Sequence, residues 1–165
     1  MKIRANLMML MTGGYFLSTQ IAWGAQFSVN ADCADLCIKI AKGVVTYRVE
    51  QPGTIAPDII HKDNSLSVKH GDSHNIQKCS RISMTIPKED SLLINLGSGT
   101  IKFEESSIVS DSYEISATVG AGEIRSKAPS IEARKFMMTA SASNAAGKDK
   151  GKLDVVLGAG DIEFN

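Results

Sequence analysis

Apolar and polar positions alternate in short runs along most of the chain. Ile82, Met84 and Ile86 alternate with polar partners and stop at Pro87, and Leu92, Ile94 and Leu96 do so up to Gly97. Tyr113, Ile115, Ala117 and Val119 alternate up to Gly120, and Leu153, Val155 and Leu157 up to Gly158. A period of two in runs of this length predicts half-buried strands with one face on a core. No stretch sustains a helical period. Ile131–Ala142 comes nearest, and it also fits two strands with a register change near Lys135. The pattern predicts an all-β domain.

Three of these strands run into the same short peptide: LGSGTIKF at Leu96–Phe103, VGAGEIRS at Val119–Ser126 and LGAGDIEF at Leu157–Phe164. Each is a strand, a Gly-x-Gly corner and a second strand. Gly97 and Gly99, Gly120 and Gly122, and Gly158 and Gly160 are therefore expected at sharp corners, where positive φ or close backbone packing is needed. A worn fourth copy overlays Ile38–Tyr47 on Ile94–Phe103 and keeps only Gly43. The first two motifs lie 23 residues apart and the next gap is 38, with the polar Ser141–Lys152 as its insertion. Repetition of the whole unit predicts a short single-domain β-solenoid, parallel β-helix-like, of stacked strand–corner–strand repeats. The alternative is an antiparallel β-sandwich in which the corners are hairpins. An outer-membrane barrel would need aromatic girdles at both interfaces, and the aromatic residues are too few.

The first 24 residues add an address. Lys2 and Arg4 precede the apolar Leu7–Leu17, and Ala22-Trp23-Gly24 places small residues at a cleavage site, so residues 1–24 read as a signal peptide and 25–165 as one domain. Thr12, Gly13, Gly14, Ser18, Thr19 and Gln20 interrupt the run, against a membrane-spanning anchor. The full chain has 18 basic and 18 acidic residues; losing Lys2, Arg4 and no acid leaves the exported part slightly acidic. That argues against nucleic acid as a partner. The chain is expected to be exported, to the periplasm or to the cell surface, or secreted.

An oxidising compartment makes disulfides the default for Cys33, Cys37 and Cys79. Three cysteines allow three pairings; the short loop favours Cys33–Cys37, and pairing with Cys79 would staple the start of the domain to its middle. His70, Asp72 and His74 form the most ligand-like cluster, weak candidates for a metal beside their reading as an exposed turn. No metal or other cofactor is expected. Ser98 lacks the strand-to-helix turn and fuller motif of a nucleophile elbow. Glu104, Glu105, Glu123, Asp154, Asp161 and Glu163 could supply a glycosidase pair, but most occupy the polar half of an alternating pattern. No catalytic residues are assigned. Arg125 and Glu163 hold equivalent places in their repeats and would pair if those turns are neighbours.

The stretch ISMTIPKEDSLLINLGSGTIKF at Ile82–Phe103, followed by VGAGEI and LGAGDIEF, resembles the signature of the bacterial putative-adhesin domain of unknown function, over Leu36–Asn165. The resemblance implies an exported β-solenoid whose motifs specify fold rather than chemistry. The expected function is non-catalytic binding of an envelope protein, a surface glycan or a host ligand. A polysaccharide-active enzyme on the same scaffold is the alternative.

Overall fold

The computed structural model describes residues 6–8, 14–18, 26–41, 45–50, 57–62, 64–70, 79–87, 91–145 and 150–165. Among the described residues the fold is all-β with one short helix. The strands are β1 (Asn6–Met8), β2 (Gly14–Ser18), β3 (Gln26–Ile40), β4 (Thr46–Glu50), β5 (Asp58–Lys62), β6 (Ser65–Lys69), β7 (Ser80–Ile86), β8 (Ser91–Phe103), β9 (Tyr113–Ser126), β10 (Glu132–Phe136), β11 (Thr139–Ser143) and β12 (Gly151–Phe164). Helix α1 (Ser106–Ser112) links β8 to β9. The expected leader overlaps β1 and β2, whose backbones form an antiparallel pair, with β2 against β4.

The repeats stack in parallel and in register. Leu157 lies opposite both Leu96 and Val119, and Gly160 opposite both Gly99 and Gly122. Their order in the sheet is not their order in the chain. The path runs β3-β8-β12-β9-β11-β10, so the last strand lies between two earlier ones. The sheet is open and mixed, and a solenoid wound in chain order would have placed β9 beside β8. The glycine-bearing repeats are near-identical, so spacing along the sequence carries no information about which copy neighbours which.

Each long strand turns at its middle, and the turn changes which residues face inward. Leu92, Ile94 and Leu96 are buried before the corner of β8, and Ile101 and Phe103 after it. Leu96 and Ile101 would face opposite sides of an uninterrupted strand, so the corner absorbs one residue and returns both to the core. The same five-residue step separates Leu157 from Ile162 and Val119 from Ile124. Both limbs pack into one hydrophobic cluster, in which Phe103 and Phe164 stack at 4.8 Å between ring centroids.

The fourth copy in the stack is β3. Its residues from Gln26 to Ile38 pair with Ser91–Phe103, with Cys33 opposite Ser98 and Ala34 opposite Gly99. It carries the same step, from buried Ala31 to buried Leu36, and no glycine. Ile38 and Ile40 belong to this strand, and Tyr47 lies in β4, so the register makes Gln26–Ile38 the neighbour of β8. Gly43 lies outside the described residues.

Glycine is required where the corners of adjacent strands approach each other. Gly99, Gly122 and Gly160 have φ of 129°, 151° and 133°, which side chains disfavour. A Cβ on Gly122 would stand 1.7 Å from the Gly160 carbonyl oxygen, one on Gly160 1.8 Å from that of Gly99, and one on Gly99 1.9 Å from that of Ala34. Gly97, Gly120 and Gly158 face the neighbouring carbonyl in the same way at 2.4–2.7 Å. Strand by strand, the ladder runs down to β3 and stops.

Candidate functional site

The ladder stops because the row beyond β3 is split. The first half of β3 pairs with β6 and the second half with β7, both in parallel. The break falls between Ala31, the last partner of β6, and Ala34, the first partner of β7, in register with the corner of β8; residues 71–78 lie outside the described residues. Asp32 and Cys33 occupy the places that Gly97 and Ser98 hold on β8. Their side chains close the split corner. Cys33 bonds Cys79, with Cα atoms 4.9 Å apart. Asp32 accepts from the His70 backbone N–H at 2.7 Å and contacts His70 Nδ1 at 2.6 Å, while His70 Nε2 lies 3.0 Å from Ser80 Oγ.

The Cys33–Cys37 expectation is corrected by this bridge. Both residues lie on β3, and four residues of extended chain span roughly 13 Å, beyond the roughly 7 Å that a disulfide bridges between Cα atoms. Cys37 is a free thiol. Burial, and then its contact with Glu104 Oε1 at 3.5 Å, raise its pKa.

Asp32, His70 and Ser80 are linked in the order of a Ser-His-Asp relay. Ser80 is 1% exposed and sits at the start of a strand rather than on an exposed elbow. A nucleophile must reach its substrate, so the shielded hydroxyl acts as an anchor for the imidazole. The assembly is a latch across the split corner. Burial pushes the Asp32 carboxyl upward, but hydrogen bonds from His70 and the Cys33 N–H, with the His70 charge, outweigh it and hold the pKa below the ordinary value.

A groove of about 480 Å³ opens beside the latch. Asn30, Asp32, Lys69, His70 and Asn95 line it with hydrogen-bonding groups, and Val156 adds an exposed aliphatic side chain. Asn95 donates to Asn30 Oδ1 across adjacent strands at 3.1 Å. Sequence reasoning found His70 and both bridging cysteines but missed Asp32 and Ser80. The apolar step from Ala31 to Leu36 was the signal that could have placed Asp32 at a corner.

The remaining candidates are dispersed. Asp72 and His74 lie outside the described residues, and Cys79 is consumed by the disulfide, which removes it as a thiolate ligand. Among the described residues no group of three or more His, Cys, Asp or Glu side chains gathers as a metal site. Ser98 donates to the Asp32 carbonyl at 3.3 Å. Arg125 and Glu163 do face each other across β9 and β12, at 3.9 Å, and Lys102 approaches Glu163 at 3.4 Å. Glu123 is held ionised by Lys135 and then by Arg125, and Asp161 accepts from the Glu123 backbone N–H. Among the described residues no helix is long and apolar enough to cross a membrane.

No family model matches the chain, and no curated protein matches it. Among solved structures, it is similar to a crystal structure of a putative cell adhesion protein from Clostridium sporogenes, at 12% identity and a TM-score of 0.44, covering 91% of this chain and 98% of that one. It is also similar to a putative adhesin from Bacteroides fragilis, at 12% identity and a TM-score of 0.36, covering 90% of this chain and 56% of the other.

Proposed function

We propose that this protein is an exported, non-catalytic module on a stack of parallel strand–corner–strand repeats, binding an envelope protein, a surface glycan or a host ligand. The observation that carries the reading is the groove at the split corner. Asn30, Asp32, Lys69 and Asn95 stand on strands held in register, and the Cys33–Cys79 bond holds the chain next to Asp32, so little ordering is needed when a partner enters. Export rests on the leader-like start of the sequence and on a disulfide, a bond that persists in oxidising compartments. The non-catalytic reading rests on the burial of Ser80 and on the engagement of Glu123, Asp161 and Glu163 in surface ion pairs and hydrogen bonds.

Crosslinking and pull-down from the cell envelope, together with a glycan screen, test this reading. A partner is expected whose capture falls several-fold with Asn95→Ala or Lys69→Glu, both at the groove. Capture of nothing by the native chain in all three assays would sink the proposal. Release of reducing ends from a polysaccharide by the purified chain would replace it with the enzymatic alternative.

A further inference from the structure

Strands β10 and β11 form a hairpin at the free end of the sheet. Phe136 is paired with Thr139, so Met137 and Met138 alone make the turn. Phe136, Met137 and Met138 are 73%, 82% and 72% exposed, the three most exposed large apolar residues among those described. Met137 also has φ of 54°. Two-residue hairpin turns are normally built from Asn-Gly or Gly-x, which accept positive φ and expose no apolar surface. This turn departs from that chemistry twice, on the same residues. Strain and exposed apolar surface together at one tip point to function rather than folding.

We infer that this tip inserts into the interface of an anionic lipid bilayer. The occupant follows from shape, area and charge. Three side chains at the end of one hairpin form a small apolar tip, short of the roughly 800 Å² per partner of a specific protein interface. A bilayer needs no complementary pocket, and aromatic and aliphatic side chains enter its interface readily. Arg134 and Lys135 immediately precede the tip. They pair with Glu132 and Glu123 at 3.1 and 2.6 Å, with exposed side chains on both sides. Exposed pairs are weak, so both cations can turn to lipid phosphates while the tip is buried. The mode is shallow anchoring, independent of the groove.

The sequence makes the test clean, because its single tryptophan is Trp23. The full chain carrying Trp23→Phe and Phe136→Trp has one fluorophore, at the tip. With vesicles of phosphatidylethanolamine and phosphatidylglycerol, its emission should shift to the blue and be quenched by lipids brominated near the headgroup. The native chain should sediment with the same vesicles, and several-fold less with phosphatidylcholine alone. Met137→Gly with Met138→Asn should abolish sedimentation while leaving the fold intact, since it puts glycine at the turn position with positive φ. Unchanged emission, or equal sedimentation of the Gly-Asn variant, overturns the inference. A blue shift that follows protein concentration without lipid also overturns it, in favour of self-association.

Discussion

At the residue scale, the corners divide into positions that must be glycine and one that need not be. A side chain on Gly99, Gly122 or Gly160 meets a carbonyl oxygen at less than 2 Å and is also strained by its φ. Gly160→Ala should therefore cost about 3 kcal/mol or more, combining strain with overpacking. Ala34 holds the equivalent place on β3, and among described non-glycine residues only Glu105 and Met137 have positive φ. Ala34→Gly should cost no more than about 1 kcal/mol, the usual penalty for added backbone freedom. Denaturant unfolding of the two variants checks the contrast, and equal losses would refute it.

Asp32 carries a pH prediction at the same scale. Its folded pKa lies below the ordinary 3.8, so its contribution to stability is fully present above the unfolded value. That contribution is lost as pH falls through the folded one. Asp32→Asn should therefore flatten the acid limb of the melting-temperature profile below about pH 4. An unchanged slope would mean that the latch contributes nothing in solution.

At the element scale, the split row is held by its staple. The Cys33–Cys79 bond spans 46 residues, and closing a loop of that length restricts the unfolded chain by about 4 kcal/mol in the chain-entropy account. Cys33→Ser should lower stability by roughly that amount, measured with Cys37→Ser in the background to prevent exchange. A loss below about 1 kcal/mol would show that the split corner stays closed without its bridge. The strands themselves were legible in the sequence: β7, β8, β9 and β12 follow the alternation of Ile82–Ile86, Leu92–Leu96, Tyr113–Val119 and Leu153–Leu157. β3 was read in part only, because Cys33 and Ala34 are both buried where the alternation would allow one, and no glycine marks the turn. Asp32 and Ser80 meet His70 through pairing between distant segments, which local patterns do not encode.

At the scale of the whole molecule, the repeats declare that copies stack but not in what order. β12 supplies a partner to both β8 and β9, so the last segment of the chain completes the middle of the sheet. Deleting residues 151–165 should expose the inward faces of β8 and β9 together and abolish cooperative unfolding, rather than trim one edge. A truncated chain that still melts cooperatively would place β12 at the periphery.

Cysteine crosslinking across the corners tests the stacking order most directly. Ser98 and Ala159 are register partners, as are Ala121 and Ala159, whereas Ser98 and Ala121 stand two strands apart. With Cys37→Ser in the background, Ser98→Cys with Ala159→Cys and Ala121→Cys with Ala159→Cys should each form a bridge. Ser98→Cys with Ala121→Cys should not, because two strand spacings, roughly 9.6 Å, exceed the reach of a disulfide. Efficient bridging of the last pair, with failure of the first, would contradict the account and restore a solenoid wound in chain order.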